Sequence, residues 1–126
     1  MPNLMNRRSV VAGICAGAVP AEAQDASKVQ PTSYQVVLDN DNVRVLEFRS
    51  LPGLGVCGTG LHSHPPHLTV LLTDASVKDT QNGRSMIVSN KAGDTFWLPA
   101  ITHETENIGG AEVRALIVEL KPVTPR

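Results

Sequence analysis

Residues 77–89 read VKDTQNGRSMIVS, with Asn82-Gly83 near the middle. Asn-Gly is the strongest two-residue signal for a β-hairpin, because a type I′ turn needs positive φ at both central positions. The runs on either side of it, Val77–Thr80 and Arg84–Ser89, have strand character. This stretch therefore predicts two antiparallel strands in the middle of the chain.

Other strand-like runs lie on both sides of the hairpin, separated by turns and loops. They are Tyr34–Leu38, Val43–Ser50, Leu68–Thr73, Thr95–Leu98 and Val113–Leu120. The chain has 10 glycines and 9 prolines in 126 residues, which favours short strands and turns over helices. About eight strands, with no convincing helix after residue 23, predict an all-β sandwich or barrel of the jelly-roll kind. Such packing also hides the open edges of short strands.

Composition excludes several classes of protein. A length of 126 residues allows one domain. The 11 basic and 12 acidic residues give a net charge of −1, without the concentrated basic face that a nucleic-acid partner requires. No apolar run reaches the length of about 18 residues expected of a membrane span.

The first 23 residues have the features of an export signal. Arg7 and Arg8 precede the apolar stretch 10–19, and Ala21-Glu22-Ala23 fits a signal-peptidase site. Asn6 to Val11 also resembles a twin-arginine signal, although general secretion stays open. We expect residues 1–23 to direct export to the periplasm, 24–33 to form a flexible lead-in and 34–126 to form the domain. Without processing, the protein would stay in the cytoplasm.

Cysteine usage agrees with that division. Cys15 lies within the signal, so Cys57 is alone in the mature chain and no intramolecular disulfide is expected. Cys57 is either an inert loop or core residue or a reactive thiol.

Histidine is scarce in this chain, and its distribution is uneven. Three of the four histidines, His62, His64 and His67, fall within six residues, and the fourth is His103. Residues two apart on a strand face the same side, so His62 and His64 point into one space, about 7 Å apart. That spacing suits two imidazoles that converge on one metal ion.

These residues resemble the two motifs of the cupin superfamily. The first motif is matched by Gly58, Gly60, His62 and His64, and the second by Gly93, Pro99, His103 and Asn107. The resemblance covers residues 34–120 and implies a cupin-type double-stranded β-helix, which is a jelly-roll barrel. His-Ser-His-Pro, Trp-Leu-Pro-Ala and Val-Glu-Leu-Lys further resemble small cupins labelled as β-alanine-degradation proteins.

Carried over residue by residue, the resemblance implies three metal ligands, His62, His64 and His103. The acid that the motif expects near position 68 or 69 is absent, since Leu68 and Thr69 stand there. The implied cofactor is one divalent metal ion: iron, manganese, nickel or zinc. The implied function is a metal-dependent enzyme of oxygenase, isomerase or lyase type that acts on a small organic molecule. The alternatives are a non-catalytic exported module that binds a metal or a small acid, and a structural jelly roll with weak or lost metal binding.

His67 is open to three interpretations: a fourth ligand, a proton-transfer group at the rim of the site, or a plain turn residue after Pro65-Pro66. Its odd spacing from His62 and His64 turns its side chain away from theirs, so we predict the catalytic rim role.

The small size of the core predicts oligomerisation. A domain of about 90 residues buries roughly 60 % of its surface, and pairing two copies would cover apolar surface and strand edges together. We therefore expect a homodimer that binds a small-molecule ligand.

Overall fold

The computed structural model describes residues 24–52 and 60–123. The predicted export signal, Cys15, Cys57 and Gly58 lie outside the described residues. The elements are helix α1 (Ala26–Val29) and strands β1 (Tyr34–Asp39), β2 (Val43–Ser50), β3 (His62–His64), β4 (His67–Leu71), β5 (Ala75–Gln81), β6 (Arg84–Asn90), β7 (Thr95–Leu98), β8 (Ile101–Asn107) and β9 (Val113–Leu120). No described helix has the length and apolar character needed to cross a membrane.

Two antiparallel sheets form the jelly roll that the sequence predicts. Strands β1-β2-β9-β4-β7 make one sheet and strands β3-β8-β5-β6 make the other. The double-stranded β-helix fold is therefore confirmed. At the β5–β6 hairpin, Asn82 and Gly83 have φ of 52° and 76°, as a type I′ turn requires.

The apolar core lies against the inner face of the five-stranded sheet. Along β9, buried residues alternate with half-exposed ones, so that Val113, Ala115 and Ile117 face inward. Leu46 and Phe48 of β2 join them, because β2 pairs with β9 along its whole length. Burial of each such large side chain contributes about 2 kcal/mol before its entropy cost is counted. Glu119 occupies the next inward-facing position of β9 and is also buried.

Residues 24–33, the stretch expected to be a lead-in, contain the one-turn helix α1, although the sequence predicts no helix there. Asp25 caps it, since its side chain accepts a hydrogen bond from the Ser27 amide, and Pro31 follows its last turn. Ala26 is fully buried. The Ser63 amide donates to the Gln24 carbonyl at 2.6 Å, so this segment contacts the strand that carries two of the histidines.

Candidate metal centre

Three of the four histidines come from neighbouring strands of the four-stranded sheet. His62 and His64 of β3 point inward and are buried, whereas Ser63 between them is half-buried. The predicted shared face is therefore correct. Strand β8 pairs with β3 so that His103 lies directly opposite His62.

The imidazoles of His62, His64 and His103 form a compact group. One ligand nitrogen from each lies within 4.8 Å of the others. The ring centroid of His62 lies 4.9 Å from that of His64 and 4.7 Å from that of His103. Two nitrogens bound to one ion at about 2.1 Å are at most about 4.2 Å apart, so small side-chain movements would bring all three into range.

Hydrogen bonds to backbone carbonyls fix the orientation of two rings. Nδ1 of His62 donates to the Gly60 carbonyl at 2.7 Å, and Nδ1 of His67 donates to the Pro65 carbonyl at 2.7 Å. A carbonyl can only accept, so Nδ1 carries the proton and Nε2 carries the lone pair. Gly60 has a φ of 70°, a left-handed backbone conformation that favours glycine at this position.

Carboxylates orient the other two rings. Nδ1 of His64 donates to Oε2 of Glu119 at 2.8 Å, and Nδ1 of His103 donates to Oδ1 of Asp79 at 3.1 Å. All four histidines therefore present Nε2 as the basic nitrogen. A carboxylate or carbonyl on the far nitrogen is the usual partner of a metal-bound histidine, because it fixes the tautomer and raises ligand basicity. No acid stands at positions 68 and 69, and the carboxylates near the cluster are instead Glu119 and Asp79, which contact the histidines at Nδ1.

The histidine cluster fits a metal ion. Nε2 of His103 is buried and has no hydrogen-bond partner among the described residues. Nε2 of His62 accepts a hydrogen bond from the Tyr34 hydroxyl at 3.0 Å, a contact that a bound ion would replace. Buried imidazole nitrogens without a protein donor are costly, and a divalent cation satisfies several together.

Burial lowers the pKa of three of these rings, His62, His64 and His67. It lowers the pKa of His62 to about 2, and the neighbouring His103 and His64 act in the same direction. Burial also lowers the pKa of His64, against the opposing effect of Glu119, and lowers the pKa of His67. Neutral imidazole is the form that binds metal, so burial favours the metal-binding form of His62 and His64.

His67 is buried within the barrel, and its predicted orientation away from the other histidines is wrong. Its ring centroid lies 4.9 Å from that of His64, and its side chain lines the barrel cavity. The spacing argument fails because the chain changes sheets at Pro65-Pro66: β3 belongs to one sheet and β4 to the other. His67 lies outside the three-histidine group, and its role in proton transfer stays a prediction.

Sequence reasoning missed four residues of this site: Tyr34, Arg44, Asp79 and Glu119. Arg44 donates a hydrogen bond from Nε to Oε1 of Glu119 at 2.9 Å. Glu119 has a readable signal, since it continues the inward-facing row of β9 that contains Ala115 and Ile117. A carboxylate at an apolar position of an alternating strand indicates a buried polar partner. Tyr34 and Arg44 carry no such signal, because their partners are set by the order of strands in the sheets.

Comparison with solved structures agrees with the fold of the chain. No protein-family model and no curated protein matches the chain. A solved cupin domain from Bordetella pertussis Tohama I is 26% identical, with a TM-score of 0.64 over 71% of this chain and 92% of that one. An RmlC-like cupin family protein with a double-stranded β-helix fold, from Methanocaldococcus jannaschii, is 11% identical, with a TM-score of 0.55 over 69% of this chain and 77% of that one. A cupin superfamily protein from Desulfitobacterium hafniense DCB-2 is 15% identical, with a TM-score of 0.52 over 71% and 76% of the two chains. The Bordetella pertussis domain supports a relationship to cupins, and the two structures of lower identity show a shared fold.

Proposed function

We propose that this protein is a small metal-dependent cupin enzyme that acts on a small organic molecule inside the barrel, by oxygenase, isomerase or lyase chemistry. The observation that supports it best is the arrangement of His62, His64 and His103: each Nδ1 donates to a carbonyl or carboxylate oxygen, and one ligand nitrogen from each ring lies within 4.8 Å of the others. Such preorganisation is typical of a histidine metal site.

In this proposal the three histidines hold one divalent ion: iron, manganese, nickel or zinc. A bound ion of this kind supplies Lewis-acid or redox chemistry at open coordination positions. His67 holds its Nδ1 proton on the Pro65 carbonyl, which leaves Nε2 free to take and return a proton at the cavity. A positioned group of this kind accelerates a reaction by typically about 10²- to 10⁴-fold.

Elemental analysis of protein from its native compartment tests the metal site. We expect close to one equivalent of a divalent metal per chain and loss of most of it in His103→Ala. The matched control is His67→Ala, which removes a buried imidazole next to the cluster but leaves the three ligands. Equal metal content in His103→Ala and the parent protein would show that the ligand assignment is wrong.

A non-catalytic module that binds a metal or a small acid is the alternative. The two functions differ in turnover, so we would screen the metal-loaded protein for substrate-dependent oxygen consumption and product formation. His67→Ala should abolish most activity and retain the metal if the enzyme proposal is correct. A metal-loaded protein that binds ligands and never transforms them would favour the alternative. That this chain is related to the cupins labelled as β-alanine-degradation proteins stays a prediction.

We also propose that two copies of the chain pair through their sheet edges. Edge strand β1 exposes Val36, Val37 and Leu38, and edge strand β6 exposes Met86 and Ile87. Exposed apolar edges of this kind favour association. Sedimentation equilibrium at micromolar concentration should give twice the mass of one chain, and a single-chain mass would contradict the proposal.

Export to the periplasm is a further proposal, based on the features of residues 1–23. N-terminal sequencing of periplasmic protein should give Gln24 as the first residue. Recovery of the intact chain from the cytoplasm alone would contradict it.

A further inference from the structure

The interior of the barrel holds a cavity of about 380 Å³ beside the histidines. His64, His67 and His103 lie in its wall, and most of the remaining wall is aliphatic or aromatic, including Phe48, Leu71, Phe96, Val113 and Ile117. Ligand cavities in proteins span roughly 300–1,000 Å³, so this one suits a small molecule. The space and the histidines together define where a substrate would lie.

No described lysine or arginine lines this cavity, and Asp79 is the one charged residue in the described wall. Residues 53–59, GLGVCGT, lie outside the described residues and contain no charged side chain. A carboxylate or phosphate in a mainly apolar cavity loses its hydration, and no lysine or arginine in the described wall offsets that loss. The wall therefore disfavours anionic ligands.

The net negative charge around the histidines would also neutralise the positive charge of a bound divalent metal ion. Glu119 and Asp79 contact His64 and His103, and Asp25 pairs with Arg44 at 3.0 Å behind Glu119. Three carboxylates and one guanidinium leave a surplus of two negative charges, which equals the charge of one divalent cation with opposite sign. A loaded site would keep no net positive charge to attract an anion.

From this cavity and this charge arrangement, we propose that the substrate is a neutral, mainly apolar molecule with one polar end, such as an aromatic or branched aliphatic alcohol or ketone. The apolar body would pack against Phe48, Phe96 and their neighbours, and the polar end would lie at the histidines. Calling this ligand a substrate rests on the proposed function. The preference of the cavity for neutral ligands can be measured without turnover.

Three probes that share a phenyl ring and differ in charge test the proposal: 2-phenylethanol, phenylacetate and 2-phenylethylamine. Each is titrated into the zinc-loaded protein and the metal-free protein by calorimetry or ligand-observed NMR. We expect 2-phenylethanol to bind at least about tenfold more tightly than phenylacetate in both forms. The metal-free arm keeps this test separate from the metal proposal, since a protein that retains no zinc can still show the preference.

Cavity-filling variants test the location. Ala115→Leu places extra volume in the cavity and should weaken 2-phenylethanol binding at least about tenfold while zinc content stays at the parental value. If Ala115→Leu does not fold, Leu98→Trp on edge strand β7 serves the same purpose, and Trp97→Ala is the control because that side chain is 55% exposed. Tighter binding of phenylacetate than of 2-phenylethanol, no alcohol binding at about 10 mM, or an unchanged affinity in the filled variant would each overturn the proposal.

Discussion

Glu119 and Asp79 each accept a hydrogen bond from Nδ1 of a site histidine, but their surroundings differ. The Glu119 side chain is 2% exposed, and Arg44 contacts its other oxygen at 2.7 Å. Arg44 is in turn held by Asp25 through two hydrogen bonds of 3.0 Å. The Asp79 side chain is 22% exposed and pairs with His103 at 3.1 Å, and among the described residues it forms no salt bridge with a lysine or arginine.

The difference matters for what each carboxylate does to its histidine. A buried carboxylate with a fixed cation cannot turn away, so Glu119 holds His64 in one orientation. Asp79 can rotate toward solvent, which leaves His103 more freedom to follow a ligand or an ion. We therefore expect the His64 side of the site to be rigid and sensitive to substitution, and the His103 side to be tolerant.

Glu119→Gln should have the largest effect. The amide can present its oxygen to His64 or to Arg44, but its NH₂ group then faces a donor on the other side. We expect a loss of about 2–3 kcal/mol in the free energy of unfolding and a 10- to 100-fold loss of metal affinity. Urea denaturation and competition with a metal chelator measure the two quantities.

Glu112→Gln is the matched control, because Glu112 also pairs with an arginine, Arg49, but at the surface. A surface pair contributes about 0–1 kcal/mol, so both readouts should stay near the parental values. If Glu119→Gln behaved like this control, the rigid description of the His64 side would be wrong.

Acid should destabilise the metal-free protein through the histidine cluster. The unfolded chain protonates His62 near its ordinary pKa of 6.5, whereas the folded chain resists protonation until about pH 2. The unfolded state therefore binds more protons below about pH 6.5, and the free energy of unfolding falls as the pH drops through that window. The slope should approach about 1.4 kcal/mol per pH unit for each histidine that stays neutral.

Urea denaturation of chelator-treated protein at about pH 7 and about pH 5 measures this slope. His62→Asn should show a smaller slope, since one neutral imidazole is gone. In Glu119→Gln the slope should not decrease, because Glu119 opposes the lowered pKa of His64. Equal stability at both pH values would contradict the linkage.

Asp79→Asn should have a smaller effect than Glu119→Gln. The amide oxygen can still accept from His103, and the amide NH₂ can face solvent, so neither group loses a partner. We expect less than about 1 kcal/mol of destabilisation and less than about tenfold loss of metal affinity. A loss equal to that of Glu119→Gln would remove the distinction between the two sides.

The sequence predicts the fold well because its signals are local. Alternation along β9, the Asn82-Gly83 turn and the two-residue spacing of His62 and His64 each need only neighbouring residues. His67 and Glu119 show where local reasoning ends. They lie opposite each other on β4 and β9, 52 positions apart in sequence, a pairing that follows from the order of strands in the five-stranded sheet.

Asp25→Asn should have the smallest effect on metal affinity, and it tests whether the contacts behind His64 depend on one another. Asparagine still caps α1, but one hydrogen bond to Arg44 is replaced by an unfavourable contact between donors. We expect a loss of about 0.5–1 kcal/mol in the free energy of unfolding. Metal affinity should change less than about threefold, because Asp25 does not contact a histidine and effects weaken between residues that do not touch.

The double variant Asp25→Asn with Glu119→Gln completes this test. If Asp25 supports Glu119 through Arg44, the two substitutions should be non-additive by about 0.5 kcal/mol or more in unfolding free energy. Once Glu119 is replaced, Arg44 relies on Asp25 alone, so the second substitution should cost more than it does in the parent. Additive effects would mean that Asp25 secures only helix α1, and that the rigidity of the His64 side comes from Glu119 and Arg44 without it.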